Sequence, residues 1–476
     1  ALGSHATTAA GTAAAGSAGI LGGLLGLLGI GAGVRNLYRG TQTTGKDAQN
    51  EYSKGGTKIG MVGAGAAAGA AVGSVVPVVG TGVGALVGAG IGGLGALGFM
   101  VGSGGSALVS RTLGEGDRKK AEGIFSMLVY TILAAGVALT LLGQLFLRPI
   151  AAALGAEGEM LENCVLYGRI VLLSTGPFML QNVFQSFFVV AERPQLGLTV
   201  TVAAGLTNMT LDLLFVGILG FGLPGAAAAT VLSECLGGLS PMVYFFSRNT
   251  SLLHLGPSRF DGWALFQTCT NGASELMTNL SMSLVNMLYN LQLMRLAGEN
   301  GVAAYGVIMY VNFIFVSIFL GYSMGCAPVI GFHFGAAHQD ELHNLFRKSL
   351  TLVTVTGCAL TLIAAGLAAP LSRLFVGYDP ELFALTCRGL RLYSLSFLLV
   401  GFNIFGSAFF TALGNGAVSA CISFLRTLLF QVAAVLLLPL VLRVDGIWLA
   451  IVVAETLALL VTVSFFLRKR EEYGYA

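Results

Sequence analysis

Four carboxylates interrupt apolar stretches of the sequence: Asp212, Glu234, Glu275 and Glu455. At the centre of a membrane helix a carboxylate costs roughly 2.5–3.5 kcal/mol, so it needs a partner, a proton, a water-filled cavity or a function. In a low-dielectric cavity a carboxyl group can bind and release a proton near neutral pH. With enough oxygen neighbours it can instead hold Na⁺, a hard cation that prefers oxygen ligands. Either event changes the charge of the cavity, so an organic cation would compete for the same carboxylate.

Asp212 and Glu275 are the stronger candidates for cation binding. Asn208 precedes Asp212 by four residues, so both side chains lie on one face of a helix. Glu275 lies in a stripe of helix positions, 275, 279, 282, 286 and 290, that is mostly polar and therefore indicates contact with water rather than lipid. The polar residues of this stripe are Glu275, Asn279, Asn286 and Asn290.

A structural interpretation of these acids stays open, because each could form an ion pair with an arginine. Candidate partners are Arg169, Arg391 and Arg426. For Glu234 and Glu455, the structural and functional interpretations carry equal weight. Arg426 cannot lose its proton and must find carboxylate or carbonyl oxygens in either case.

The composition is that of a multi-spanning membrane protein. Of the 476 residues 55% are hydrophobic and 10% are charged, whereas soluble domains carry about 25% charged residues. Long apolar runs indicate helices rather than barrel strands. We find neither a nucleotide-binding loop nor a nucleophile elbow. We therefore expect no enzyme activity, no metal site, no nucleic-acid partner and no cofactor beyond a coupling ion.

Apolar runs separated by short polar links predict ten helices downstream of residue 111. They lie near 127–147, 163–190, 196–218, 223–246, 265–294, 302–334, 349–371, 384–413, 416–442 and 444–467. A further helix is predicted to end near Ser110.

The positions of Lys and Arg predict the orientation in the membrane. Alternate links hold twelve basic residues, whereas the opposite links hold four. Cytoplasmic loops carry an excess of Lys and Arg, so the richer side is predicted to be cytoplasmic and the C-terminus to lie inside. The twelve are Arg111, Arg118, Lys119, Lys120, Arg193, Arg248, Arg259, Arg347, Lys348, Arg468, Lys469 and Arg470.

An internal repeat relates the two halves of the chain. Gly114 matches Gly335 and Glu234 matches Glu455, and the two pairs have the same offset along the chain. Further matches, at this offset or the next one, are Gly104 with Gly325, Gly155 with Gly377, Arg169 with Arg391, and Gly225 with Gly446. Six spans separate the matched ends, an even number, so both halves point the same way. Their symmetry axis is predicted to run along the membrane normal.

The repeat fails upstream of about Gly98. Residues 60–98 hold small residues at four-residue spacing on both sides of Pro77. Such spacing lets helices approach closely in lipid, so we predict a glycine-zipper hairpin that turns near 76–82. Residues 18–34 are long enough for one further short span. Residues 1–98 are either a genuine replacement of the first two helices or foreign sequence joined by engineering or faulty assembly.

Motifs from about residue 99 to 467 resemble those of the multidrug and toxic compound extrusion (MATE) family, nearest to its MepA-like bacterial branch; residues 1–98 do not match. The matching segments are "GSGGSALVSRTLGEGDRKKAE", "ERPQLGLTVTVAAGLTNMTLDLLFV", "GLPGAAAATVLSE", "ASELMTNLSMSLVNMLYNLQLMRLAGENGVAAYGV" and "GYSMGCAPVIGFHFGAAH". The resemblance implies about twelve helices in two six-helix lobes facing a central cavity, and drug efflux driven by H⁺ or Na⁺ entry.

The resemblance also implies roles for particular residues. Asp212 falls on the N-x-x-x-D segment of the family's fifth helix and Glu275 on the acidic position of its seventh. Asn290, Tyr305 and Arg426 fall on further motif positions. The family's first helix usually supplies another acid, and nothing in the glycine-rich front end matches it.

We therefore expect an all-α integral membrane protein with two pseudo-symmetric lobes. It is expected to act as a monomeric antiporter of the bacterial inner membrane, with small organic substrates and lipid as its partners. Cation coupling is assigned to Asp212, Glu275 and Asn208, with Asn279, Asn286, Asn290, Tyr305, Arg426, Glu234 and Glu455 lining or supporting the cavity. The predicted regions are an N-terminal segment 1–59, the hairpin 60–98, an N-lobe remainder 99–247, a linker 248–262, a C-lobe 263–467 and a tail 468–476.

Two other functions stay open. A flippase for lipid-linked compounds, from the same superfamily, would need several Arg or Lys side chains in its cavity to bind phosphate, and intramembrane cations are scarce here. The glycine-zipper hairpin also fits a pore-forming effector, or a fusion without function.

Overall fold

The computed structural model describes residues 79–153 and 157–475, and the regular structure in this part of the chain is entirely helical. Helices α1 to α7 are Val79–Gly114, Arg118–Ala153, Gly158–Leu172, Thr175–Val190, Pro194–Asp212, Gly222–Phe246 and Gly262–Asn271. Helices α8 to α14 are Ala273–Gly335, Gln339–Gly366, Ala368–Val376, Pro380–Ser394, Phe397–Ala412, Gly416–Phe424 and Gln431–Tyr473. Two π-helical turns, Leu213–Ile218 and Leu425–Phe430, follow α5 and α13. This confirms the predicted all-helical class.

Polar side chains fix where three of these helices begin. The Asp261 and Asp379 carboxylates each accept hydrogen bonds from two backbone N–H groups in the first turns of α7 and α11. The Asn415 side chain accepts one from the first turn of α13. Each bond satisfies a backbone donor that has no partner within the helix. The polar links of the sequence therefore contain the start signals of the helices that follow them.

The helices have the length and surface of membrane spans. Within the described residues, six helices are long and apolar enough to cross a bilayer, or eight if each of two bent pairs is one span. Many large apolar side chains on them face outward; Leu440 and Val441 of α14 are 79% and 81% exposed. Such extended apolar surface is stable in lipid and not in water.

Two of the long helices contain a break where the sequence predicts a link. Helix α8 has 63 residues, about 95 Å at the usual rise, which is about three times the hydrocarbon thickness. Gly298 interrupts it with φ 61°, between the helices predicted at 265–294 and 302–334. Arg443 interrupts α14 with φ 52°, between those predicted at 416–442 and 444–467. Each of these helices therefore contains residues of two predicted spans.

Two predicted helices prove to be bent pairs, and the bends confirm the repeat. Helices α3 and α4 meet at 48°, and α11 and α12 meet at 47°. One and the same offset along the chain separates the start of α3 from that of α11 and the start of α4 from that of α12. Left-handed backbone also recurs at matched positions, Gly222 and Arg443. The same path of the chain is thus built twice from different sequence.

The front end is described only from Val79. From there α1 runs to Gly114 without a break, so residues 79–82 of the predicted turn are helical. The predicted boundary between 98 and 99 falls within this helix, which also extends four residues beyond the predicted end at Ser110. The first leg of the hairpin and the span at 18–34 lie outside the described residues.

The chain forms two compact units. Of the described residues, the first unit comprises 79–98, 130–153, 157–184 and 194–247, and the second comprises 99–129, 185–193 and 248–475. Asp212 and Glu234 belong to the first unit, whereas Glu275, Arg426 and Glu455 belong to the second. The candidate residues therefore form two separate groups, each of which is described by itself.

Within the second unit, two glycines of the repeat meet reciprocally. A Cβ atom on Gly114 would overlap the carbonyl oxygen of Phe332, and one on Gly335 would overlap that of Arg111. Phe332 matches Arg111 in the repeat, just as Gly335 matches Gly114. The ends of α1 and α8 thus touch backbone to backbone, and the contact is symmetric under the repeat.

Candidate functional site

Asp212 is a buried carboxylate in the first unit. It ends α5, and only 7% of the residue is exposed. Its Oδ1 atom makes no hydrogen bond to any described residue. Asn208, one turn earlier, is half-buried. A buried carboxylate oxygen without a donor is unfavourable unless a proton or a cation neutralises it.

Glu234 is the second buried acid of the first unit. It lies on α6 with 8% exposure, and its Oε2 atom is 2.5 Å from the hydroxyl oxygen of Ser174. Ser174 lies in the bend between α3 and α4. Tyr167 of α3 is within electrostatic range of both Glu234 and Asp212. No basic side chain among the described residues forms an ion pair with Glu234.

Glu455 of α14, the match of Glu234 in the second unit, forms an ion pair. The Arg426 Nε atom donates to both carboxylate oxygens, at 2.8 and 3.0 Å. The Asn403 amide donates to Oε2 at 2.7 Å and in turn accepts from the Thr462 hydroxyl at 2.8 Å. Glu455 is 2% exposed and Arg426 14%. For this acid the structure contains the arginine partner that the structural interpretation requires.

Glu275 lies near Arg426 without an ion pair to it. It begins α8 and is half-buried. Arg426 is within electrostatic range of Glu275, yet no salt bridge joins them among the described residues. The Asn279 side chain donates to the backbone carbonyl of Glu275 at 2.8 Å and so does not neutralise the carboxylate. The Glu275 carboxylate thus has no ion-pair partner among the described residues.

Tyr305 connects the two parts of α8 that Gly298 separates. Its hydroxyl donates to the Asn286 side chain at 2.8 Å, and its ring stacks on Tyr289 at 5.0 Å. Asn290 is exposed, and its amide donates to the backbone carbonyl of Asn286 at 2.9 Å. The predicted polar stripe therefore continues into an aromatic pair.

Asp212 and Arg426 both lie at a π-helical turn. Asp212 directly precedes the turn at 213–218, and Arg426 lies within the turn at 425–430. A π turn is rare, is usually a single turn inside an α-helix, and is frequent at functional sites. It redirects side chains relative to a regular helix, so each helix presents a charged group where its backbone is irregular.

The sequence model of the MatE family matches residues 57–214 and 276–436, more than half of the chain. The chain belongs to this family. The match begins at residue 57 and so includes residues 57–98, which the motif resemblance does not cover.

Relatives of known name agree with this membership. The multidrug export protein MepA of Staphylococcus haemolyticus is 25% identical over 327 residues, 67% of this chain and 71% of its own length. MepA of Staphylococcus aureus strain MSSA476 is 22% identical over 377 residues, 79% of this chain and 83% of its own. An outward-facing multidrug resistance MATE family transporter of the MOP superfamily is 21% identical, with a TM-score of 0.79 over 95% of this chain and 96% of its own.

These likenesses confirm the predicted fold. The chain has the two-lobe fold of solved MATE transporters. Members of the family are secondary transporters. The protein is therefore a multi-pass membrane transporter and not an enzyme.

Sequence reasoning misses several polar neighbours of the acids in this MATE chain. Ser174 contacts Glu234, and Asn403 contacts Glu455. The repeat carries a signal for both, because Ser174 matches Ser396 and Gln181 matches Asn403 at one common offset. Polar residues at matched positions of apolar spans thus mark the surroundings of the acids.

Proposed function

We propose that this chain is a cation-coupled antiporter that exports amphipathic, often cationic, organic compounds by alternating access, driven by entry of H⁺ or Na⁺. The staphylococcal relatives are named multidrug export proteins, which supports drug efflux by this chain. The observation that carries the coupling role is Asp212, whose Oδ1 atom is buried in a membrane helix without a hydrogen-bond partner among the described residues.

In this proposal Asp212 and Glu275 are the coupling carboxylates. Because neither forms an ion pair with a described residue, each can exchange a small cation for an organic one. Asn208 lies on the face of Asp212, and Asn279, Asn286, Asn290 and Tyr305 extend the polar surface from Glu275. Uptake of the coupling ion neutralises a carboxylate, which weakens its attraction for the organic cation. The substrate is thereby released.

The charge of Arg426 supports this proposal over a lipid-linked flippase. A flippase would need cationic side chains free to bind phosphate. The Nε atom of Arg426 is already engaged by Glu455 at 2.8 Å, and the ion pair offsets its charge. The paired Arg426 therefore attracts a polyanionic head group only weakly.

The Lys and Arg residues in alternate links between the spans support one orientation of the chain in the membrane. We propose that the C-terminus is cytoplasmic and that the chain acts as a monomer in the bacterial cytoplasmic membrane. A cysteine placed in the tail near Lys469 should react with an impermeant maleimide only after the cells are opened.

Transport by proteoliposomes tests the proposal. Wild type, Asp212→Asn and Glu275→Gln are reconstituted with ethidium, and a pH or Na⁺ gradient is imposed. We expect gradient-driven ethidium movement to fall at least about tenfold in each variant, the effect of losing about 1.4 kcal/mol of coupling.

Asp340→Asn and Glu341→Gln are the matched controls, because both acids are exposed in the first turn of α9. They should transport like wild type. Equal transport by all five proteins would remove Asp212 and Glu275 from the mechanism, and no gradient dependence in wild type would exclude antiport.

A further inference from the structure

Glu234 is a buried acid, and the proposed coupling mechanism assigns no role to it. It is 8% exposed on α6, and no basic described residue forms an ion pair with it. An ionised carboxylate in such a place is strongly unfavourable, so the group must be neutral or must bind a cation. The hydrogen bonds around it decide which.

The Ser174 hydroxyl lies between two oxygen atoms. Its oxygen is 2.8 Å from the carbonyl oxygen of Val171 and 2.5 Å from Glu234 Oε2. A hydroxyl group has one proton to donate and can accept through its oxygen. If Ser174 donates to Val171, the short contact with Oε2 is a hydrogen bond only when the Glu234 carboxyl carries a proton and donates it to the serine oxygen. The geometry therefore provides a place for a proton on Glu234.

Glu455 shows the opposite arrangement at the matched position. Its contacts are with Arg426 Nε and the Asn403 amide, which are donors and cannot accept a proton. Three donor contacts on two oxygens are the surroundings of an ionised carboxylate. The repeat thus places one acid among donors and the other against a hydroxyl that can accept.

Among the described residues, the titratable groups that interact electrostatically with Glu234 are acids. They are Tyr167 from α3, which is also within electrostatic range of Asp212, and Cys235 on α6 itself. A negative charge on one acid favours a proton on its neighbour, and the protons of such groups leave in linked steps. These acidic neighbours therefore favour a proton on Glu234.

We propose that Glu234 holds a proton against Ser174 and exchanges it during transport, as a second proton-carrying group beside Asp212. When an organic cation binds beside Glu234, its positive charge stabilises the ionised carboxylate, and the proton passes to water. The first unit then contains two acids that carry protons, although the family's first-helix acid has no match in this chain. The exchange step rests on the proposed antiport, in its H⁺-driven form.

Infrared spectroscopy tests the protonation directly. Wild type, Glu234→Gln and Glu455→Gln are placed in lipid nanodiscs, and pH-difference spectra are recorded in the C=O stretching region of protonated carboxylic acids. We expect an acid band that Glu234→Gln removes and Glu455→Gln retains. A wild-type band unaffected by Glu234→Gln would overturn the proposal.

Ser174→Ala determines the direction of the hydrogen bond. If Glu234 donates to Ser174, loss of the hydroxyl removes the acceptor of the proton, and the acid band disappears at a lower pH than in wild type. If Ser174 instead donates to an ionised carboxylate, the band disappears at a higher pH, which contradicts the proposal. Thr230→Val on the same helix is the control, because its hydroxyl donates to the carbonyl of Ala226 and not to Glu234.

Proton counting separates this proposal from the antiport on which it rests. Ethidium is added to wild type and variants in weakly buffered detergent, and released protons are measured with a pH dye. Wild type should release more protons than Glu234→Gln at equal ethidium binding. Equal release would overturn the exchange role of Glu234 and leave antiport through Asp212 and Glu275 intact. Absence of transport by wild type, with the acid band still removed by Glu234→Gln, would reject antiport and retain the protonated carboxyl.

Discussion

Glu234 and Glu455 occupy matched positions of the repeat, yet their surroundings differ. Glu455 is paired with Arg426 and held by Asn403. At the position that matches Arg426 the first half has Gly205, so Glu234 has no arginine there and contacts a serine hydroxyl instead. Two glutamates at matched positions of the repeat thus differ in charge because their neighbours differ. In a repeat protein, the role of a residue therefore depends on the hydrogen-bond donors around it and not on its matched position alone.

Among the tests of this comparison, removal of Arg426 should cause the largest loss in the free energy of unfolding. Arg426→Met leaves the Glu455 carboxylate 2% exposed and without a cation, and breaking a buried pair in this way costs about 3–5 kcal/mol. Equilibrium unfolding in mixed detergent and dodecyl sulfate measures the loss. Arg391→Met is the control, because Arg391 is exposed in the same half, and it should change the free energy of unfolding by less than about 0.5 kcal/mol. A stability of Arg426→Met equal to that control would mean that the pair contributes nothing.

The variants Glu455→Gln and Glu234→Gln should differ from each other by a smaller amount in the free energy of unfolding. Glu455→Gln removes the charge that Arg426 and Asn403 contact, and a hydrogen bond to a charged group contributes about 1.5–3 kcal/mol. Glu234→Gln replaces a carboxyl that we propose to be neutral, so the loss should stay below about 1 kcal/mol. The same unfolding experiment compares them. Similar losses in both variants would show that the two acids carry the same charge.

Alanine substitutions of the matched amides Asn403 and Gln181 should have the smallest effects. Asn403→Ala removes the donor to Glu455 and the acceptor of the Thr462 hydroxyl, and a typical hydrogen bond contributes about 1 kcal/mol. Gln181, its match, makes no hydrogen bond to Glu234 in the described part of the chain. Gln181→Ala should therefore leave the infrared acid band of Glu234 in place. Loss of that band in Gln181→Ala would place the amide in the proton site.

The spans were predictable because long apolar runs have few alternatives in a bilayer. The links at Gly298 and Arg443 were predictable for the same reason, since the sequence becomes polar there. The bends were not. Pro177 lies just beyond the first bend and removes a backbone donor, but the matching position of the second bend is Leu399. One bend has a local signal and its counterpart has none, so packing rather than sequence sets the second.

The acids of the site were predictable and their neighbours were not. A carboxylate within an apolar run is conspicuous because its insertion is costly. The partners lie far along the chain: Ser174 is 60 residues from Glu234, and Arg426 is 29 residues from Glu455. Serine and asparagine in a membrane helix have many uses, so only the folded chain selects the ones that meet a carboxylate. The roles of Asp212, Glu275 and Asn208 stay predictions.

The reciprocal glycines Gly114 and Gly335 have a consequence for the history of the chain. Each lacks a side chain where the other's helix passes, so a methyl group gained by either copy pushes on the backbone of its twin. After the ancestral segment was duplicated, neither copy could drift alone at this position. The crossing therefore constrains both copies of the repeat at once.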